Sequence, residues 1–167
     1  RSLRPLRTNS SWFDDLLLAR DAGTRNGGVA TAYLTAAACC TSSNALEVFK
    51  WAMSQGDKVL FLPDQHLGRN TAHKFGIDVA RHSCVYDPRL TRKGEDLGGA
   101  TPRQLLDSRV ILWAGHCSVH KLFRPEHCDQ VRAQDAREGI KTTILVHPEC
   151  CKEVVDKSDL AGSTEFI

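Results

Sequence analysis

The chain has 167 residues, of which 41% are hydrophobic and 25% charged, the composition of a soluble globular protein long enough for one core and part of another. Its 22 basic and 20 acidic residues leave a formal net charge of +2, which offers no phosphate-backbone footprint and argues against nucleic acid as a partner. No run reaches the roughly 20 apolar residues that cross a bilayer, and the basic start Arg1-Ser2-Leu3-Arg4 lacks the apolar segment and cleavage site of a secretory leader; a cytoplasmic location without a membrane partner is expected.

Residues 1–28 carry little pattern beyond a short helix predicted over 12–20, which runs into the turn-like Ala22-Gly23-Thr24-Arg25-Asn26-Gly27-Gly28. A β-branched and aromatic run over 29–34 predicts a buried strand. Asn44, followed three residues later by Glu47, predicts a capping box that starts a helix through Phe49, Trp51 and Met53, with Gly56 stopping it. A strand over 57–62 ends at Pro63. A helix over 65–75, a strand within 77–85 and a strand over 109–113 follow.

Between Tyr86 and Ser108 the apolar rhythm lapses, and Lys93-Gly94-Glu95-Asp96-Leu97-Gly98-Gly99 reads as a solvated excursion or lid. Thr101 and Pro102 are placed as N-cap and first residue of a short helix. A polar-faced helix over 125–138, a strand over 141–146 and a helix opened by Pro148 complete the series. Short strands separated by helices and punctuated by Gly or Pro predict an α/β fold, a three-layer αβα sandwich with a small, mostly parallel sheet.

In such folds the loops beyond the carboxyl ends of the strands build the site. Three of these loops are polar: Asp64-Gln65-His66, Gly115-His116-Cys117 and His147-Pro148-Glu149-Cys150. They are expected at one edge. The first, continuing through Leu67-Gly68-Arg69-Asn70, reads as a cleft wall.

Seven cysteines, Cys39, Cys40, Cys84, Cys117, Cys128, Cys150 and Cys151, include two adjacent pairs, and the odd number argues against a disulfide framework. In Gly115-His116-Cys117-Ser118-Val119-His120 a thiol and an imidazole stand three residues apart and can converge on a metal or a substrate, although no second Cys or His pair stands at zinc-finger spacing. His127 and Cys128 read as ordinary helix positions.

His147 at a strand end can exchange a proton near neutral pH, and Glu149 can hold an imidazole. A proline-started helix with an acidic first turn explains the same residues without chemistry. Thr41-Ser42-Ser43-Asn44 and Ser163-Thr164 offer hydroxyls and amides at helix starts, suited to a carboxylate or phosphate or simply to capping. They also echo one another, each following a strand end, which hints at duplicated domains.

Jointly and in order, Thr41-Ser42-Ser43-Asn44-Ala45, Pro63-Asp64-Gln65-His66-Leu67-Gly68, Gly115-His116-Cys117-Ser118-Val119-His120, His147-Pro148-Glu149-Cys150 and Gly162-Ser163-Thr164 resemble the quinolinate synthase family over about residues 29–167. The resemblance implies the middle of a pseudo-threefold, three-domain architecture. It also implies a [4Fe–4S] cluster held by one cysteine per domain, whose open iron is a Lewis acid in condensing iminoaspartate with dihydroxyacetone phosphate to quinolinate for NAD biosynthesis.

On this chain the resemblance makes Cys117 the middle cluster ligand. His120, His147, Glu149 and Tyr33 become active-site residues, and Ser42, Ser163 and Thr164 hydroxyls that hold substrate carboxylate or phosphate. It implies a segment over 1–28 that matches poorly, a middle domain over 29–117 with an insertion at about 85–108, and the start of a further domain over 118–167. The implied partners are flanking domains that carry the other two cluster cysteines, and an enzyme that oxidises aspartate.

Two departures stand against this pattern: Thr35 replaces the asparagine expected two residues after Tyr33, and the loop before Thr41 is short. With only one of three cluster ligands in the chain, an excerpt and a decayed homologue are both open, and inactivity of the chain alone is expected. Two other classes stay open as well: a zinc-binding module using Cys117, His120, His147 and Cys150, and a metal-free phosphosugar-binding domain.

Overall fold

The computed structural model describes residues 38–167; the helix predicted over 12–20, the strand over 29–34 and Tyr33 lie outside the described residues. Three strands, β1 (Val59–Phe61), β2 (Ser83–Tyr86) and β3 (Val110–Trp113), form a parallel sheet in the order β1-β3-β2. The central strand pairs Val110 with Val59 on one side and with Ser83 on the other.

Alternation along these strands sorts their side chains into two layers. Val110 and Leu112 face one core with Phe61, Ala45, Phe49, Leu67, Ala72 and Ile77, whereas Ile111 faces the other with Cys84, Tyr86, Ala100 and Leu105. The first layer is supplied by helices α1 (Ala45–Gln55) and α2 (Gln65–Phe75), the second by α5 (Pro102–Asp107) and the segment before it. The predicted α/β fold with helices on both faces of a parallel sheet is therefore present. Phe49, Leu112, Val110 and Tyr86 are fully buried, and each such aliphatic or aromatic side chain contributes about 1.5–3 kcal/mol.

Helix α2 lies directly on the sheet because residue 68 is glycine. A Cβ there would stand 2.7 Å from the Phe61 ring and 2.8 Å from Leu112. The helix ends where Gly76 takes the left-handed conformation, at φ 100°, which a side chain disfavours.

Several expectations need correction. Asn44 precedes α1 but does not cap it: its Oδ1 turns back to accept from the Thr41 amide at 2.8 Å, and Glu47 pairs instead with exposed Lys50. The region 77–85 opens with a short helix, α3 (Val79–His82), and its strand extends to Tyr86.

The stretch 86–108 is a packed cover. A turn, α4 (Pro88–Thr91), brings the chain back so that the Asp87 amide donates to Gly98 O at 3.0 Å, and Gly98 lies against the buried Tyr86 ring. Burial of Leu105 and Ala100 outweighs the polarity of the tip. The Thr101 cap forms as expected, with a reciprocal capping box to Gln104 and Pro102 in the first turn.

Beyond β3 the structure is lighter. Helix α6 (Pro125–Glu138) has the predicted limits, but the strand over 141–146 shortens to β4 (Leu145–Val146), paired in parallel with β5 (Leu160–Ala161). Pro148 does not open a helix; 147–150 is a turn closed by Cys150 N–H to His147 O at 3.0 Å, and α7 (Lys152–Lys157) begins after Cys151. Its core is small: Cys128, Cys150 and Val154. Among the described residues no helix is long and apolar enough to cross a membrane.

Candidate functional site

The site begins with Asp64, which follows β1 and is 8% exposed. One carboxylate oxygen accepts from the amides of His66 and Leu67, each at 2.8 Å, and so caps α2. The other accepts from the Cys117 amide at 2.9 Å. Asp64 also continues the sheet as a parallel bridge to Gly115, with Gln65 N–H donating to Gly115 O at 2.9 Å. A side chain at residue 115 would place Cβ 2.0 Å from Pro63 O. Glycine there lets the ends of β1 and β3 meet, and one buried carboxylate then fixes the Cys117 loop.

Asn70, in the middle of α2 and 9% exposed, does the same for the third loop. Its Nδ2 donates to Pro148 O at 2.8 Å and Cys150 O at 2.9 Å. The 147–150 turn is thereby tied to the first sheet by a side chain that satisfies two carbonyls at once.

Between these anchors the predicted residues converge. A sulfur of Cys117, a ring nitrogen of His120 and a carboxylate oxygen of Glu149 all lie within 4.8 Å of one another. His120 Nδ1 is 3.0 Å from Glu149 Oε2, yet that nitrogen is buried without a hydrogen-bond partner among the described residues. The contact is thus a close approach without hydrogen-bond alignment.

The His120 ring stacks on His147, with centroids 4.5 Å apart and planes 6° from parallel. His147 Nδ1 accepts from the Glu149 amide at 3.3 Å, so in the neutral ring Nε2 carries the proton and donates to Ser42 Oγ at 3.1 Å. Burial pushes the His147 pKa down and the neighbouring His120 adds to this, while Glu149 and Asp64 oppose it. The half-buried ring therefore favours that neutral form.

The three strand ends thus meet, and Ser42 joins them from the loop before α1. Ser163 and Thr164 follow β5, whose partner β4 leads into His147, and the Gly162 amide just before them donates to Val146 O at 3.0 Å. Tyr33 lies outside the described residues. Cys150 is 2% exposed within the small third core, and burial pushes its thiol pKa up. The four-ligand set of Cys117, His120, His147 and Cys150 is accordingly not assembled: both His147 nitrogens are engaged, and Glu149 stands where Cys150 was expected.

Asp64 and Asn70 went unrecognised as positioning residues. For Asp64 the signal was available, since an Asp between a strand and an apolar-periodic run is N-cap grammar. For Asn70 there was none, because its partners are carbonyls 78 and 80 residues away.

The family model described as "Quinolinate synthetase A protein" matches residues 29–167. The quinolinate synthase of Acidobacterium capsulatum is 52% identical over 129 residues, which cover 77% of this chain and 32% of that protein. That of Rhodopirellula baltica is 51% identical over 129 residues, 77% of this chain and 30% of the relative. For a Nocardioides species the match is 52% over 151 residues, 86% of this chain and 33% of the relative. The chain spans about a third of the length of these curated relatives. With most of its residues matched by the family model and about half of those identical in several relatives, the chain belongs to the quinolinate synthetase A family.

Proposed function

We propose that this stretch forms the middle part of a quinolinate synthase active site. The reaction would condense iminoaspartate with dihydroxyacetone phosphate to quinolinate, feeding NAD biosynthesis, with the imine arriving from an aspartate-oxidising enzyme. In this reading 29–117 is the middle domain of a pseudo-threefold arrangement, 118–167 begins the next, and flanking domains supply the remaining cluster thiolates. The convergence of Cys117, His120 and Glu149 beside the His147–Ser42 pair carries the proposal.

The donor chemistry fits one corner of a [4Fe–4S] cluster. Cys117 is a half-exposed free thiol on a loop held by its backbone, whereas Cys84, Cys128 and Cys150 are buried. When bound, such a cluster supplies an open iron that polarises a substrate oxygen.

The chain's own groups account for binding and proton movement. With Nε2–H of His147 directed to Ser42, the Ser42 hydroxyl is left to donate to a carboxylate or phosphate. By the resemblance, Ser163 and Thr164 offer further donors. Glu149 touches both imidazoles, one through its carboxylate and one through its amide. A proton taken from substrate by His120 or His147 therefore has an adjacent carboxylate to stabilise the resulting imidazolium. Tyr33 is assigned a substrate-facing role by the same resemblance.

The test is a chimera in which this stretch replaces the matched third of the Acidobacterium capsulatum enzyme, reconstituted anaerobically with iron and sulfide. A four-iron spectrum with quinolinate formation is expected. Cys117→Ala should abolish the cluster, and His147→Ala should spare the cluster while lowering turnover at least about 100-fold. A stable cluster in the Cys117→Ala chimera would overturn the ligand assignment.

A further inference from the structure

A cavity of about 530 Å³ opens beside the outer edge of β2, where side chains of α2, α5 and α7 meet. None of Ser42, Cys117, His120, His147 and Glu149 lines it. We propose that this cavity binds a small organic anion that carries two negative charges at one end, as a phosphate monoester or a dicarboxylate does, on an apolar body. The inference does not rest on the quinolinate synthase reading.

The charges that line the cavity are of one sign. Arg69 comes from the second turn of α2 and Lys152 from the first residue of α7, and no carboxylate lines the space. Arg69 is half-buried and makes no hydrogen bond or ion pair among the described residues. Glu153 is near enough to sense its charge but stands outside the lining. Lys152 pairs with Asp156 at 2.6 Å, one turn along α7, but Asp156 is 51% exposed. A solvated pair of this kind is weak, and an ammonium has three donors to share. Two cations on one cavity repel each other, and a doubly charged anion between them turns that repulsion into two attractions.

The wall beside these cations adds main-chain donors. Strand β2 ends the sheet order β1-β3-β2. His82 O accepts from Arg109 N–H and Tyr86 O from Ala114 N–H, each at 2.9 Å, so the even-numbered residues face β3. Alternation along the strand then turns the N–H groups of Ser83 and Val85 to the open edge, and both residues line the cavity. Gln104 adds its amide NH₂, because its Oε1 is already taken by the Thr101 amide and hydroxyl. Next to these donors, Val79 and Val85 offer surface to an apolar body. The volume suits such a molecule, since cavities for small organic ligands run from about 300 to about 1,000 Å³.

The two cations also belong to different halves of the molecule. Arg69 precedes Asn70, whose side chain holds the 147–150 turn, and Lys152 follows that turn by two residues. An anion between them bridges α2 to α7 alongside the Asn70 tie, so its binding steadies the helix that follows the turn.

The test titrates the reduced full 167-residue chain by calorimetry with two probes, adenosine monophosphate and benzene-1,2-dicarboxylate, and with adenosine as the uncharged control. At least one anion should bind one-to-one with a Kd at or below about 1 mM, and adenosine should not bind. The tighter of the two anions identifies phosphate or dicarboxylate as the preferred end. Arg69→Gln should weaken binding at least about tenfold, the least that loss of a hydrogen bond to a charged group costs, and Lys152→Gln should weaken it by less. Ser42→Ala and His147→Ala, which alter the site already described, should leave it unchanged.

Hydrogen exchange on the wild-type chain needs no variant to fold: the bound anion should slow exchange at the amides of α7. Failure of both anions to bind, equal binding of adenosine, affinity unchanged in Arg69→Gln and Lys152→Gln, loss of binding in His147→Ala, or unaltered exchange in α7 would each overturn the proposal. The cluster measurements in the chimera involve neither Arg69 nor Lys152, so either reading can fail without the other.

Discussion

The residues that meet at the site come from two regions built very differently. The first, from α1 to β3, has a sheet with apolar layers on both faces and four large side chains with 2% exposure or less: Phe49, Tyr86, Val110 and Leu112. The second, from α6 to β5, has two-residue strands and a core of two cysteines and one valine. Its order at the site depends more on polar ties: Asn70 to the 147–150 turn, His147 to Ser42, and within the region Arg132 to Asp159 and to Thr142 O. The first region fixes Cys117 and the second delivers His147 and Glu149. Geometry among the site residues is thus decided by a few hydrogen bonds, while the scaffold's stability is decided elsewhere.

If that division is right, the largest losses come from the first region. Leu112→Ala empties the centre of the sheet's α1–α2 layer and is expected to cost about 2–5 kcal/mol, whereas Val154→Ala, equally buried but in the small core, removes about 1.5 kcal/mol at about 0.8 per buried CH₂. Urea denaturation measures both. Equal losses would show that the two regions share one core after all.

Gly115→Ala follows in size. Its Cβ would meet backbone, Pro63 O, at 2.0 Å, and backbone yields less readily than a side chain, so a loss at or above about 3 kcal/mol is expected. The ends of β1 and β3 must part to admit it, which also breaks the Asp64–Cys117 link. Circular dichroism with a thiol-reactivity assay on Cys117 would show both effects, and full retention of stability would contradict the close approach.

Asn70→Ala is the sharpest probe of the boundary between the regions. Two carbonyls, one of them on buried Cys150, lose their donor, for an expected cost of about 1–3 kcal/mol. Hydrogen exchange should quicken at Glu149 and Cys150 amides while those of β3 stay protected. If β3 loosens equally, Asn70 is a core residue and not a tie between regions.

How much of this was legible in the sequence follows the same boundary. In the first region apolar alternation and cap residues placed β1, α2, β3 and the Thr101 cap, because burial on a pleated sheet leaves a period that composition cannot mimic. The segment 86–108 has the composition of a solvated loop, and its polar tip hides a contact that only the fold creates: Gly98 seated on the Tyr86 ring. In the second region Pro148 has the sequence pattern of a helix start. Its carbonyl is instead the acceptor for Asn70, a partner no local window contains. At the site, Cys117, His120, His147 and Glu149 were visible as residues after strand ends. Their pairing, and the substitution of Glu149 for Cys150 beside the thiol, came from the register of elements far apart in sequence.

The smallest expected effect is a pH dependence that reports contact between the regions. His66, in the first turn of α2, has a buried Nδ1 without a hydrogen-bond partner among the described residues. Burial pushes its pKa down, Arg69 and His116 add to this, and Asp64 together with Glu153 from α7 opposes it. With the folded pKa below the unfolded value of about 6.5, neither state is protonated well above that value and His66 contributes no pH dependence there. As pH falls through it, the unfolded chain takes up the proton first, so stability drops until the folded pKa is passed. His147 acts in the same direction. Denaturation midpoints measured from about pH 7.5 to about pH 5 should fall, with a shallower slope in His66→Gln. In Asn70→Ala, where the second region is loosened and water reaches His66, the slope should also flatten. A slope that flattens in His66→Gln but not in Asn70→Ala would mean that His66 is buried by the first region alone, and that the two halves of the site are less interdependent than the Asn70 clamp implies.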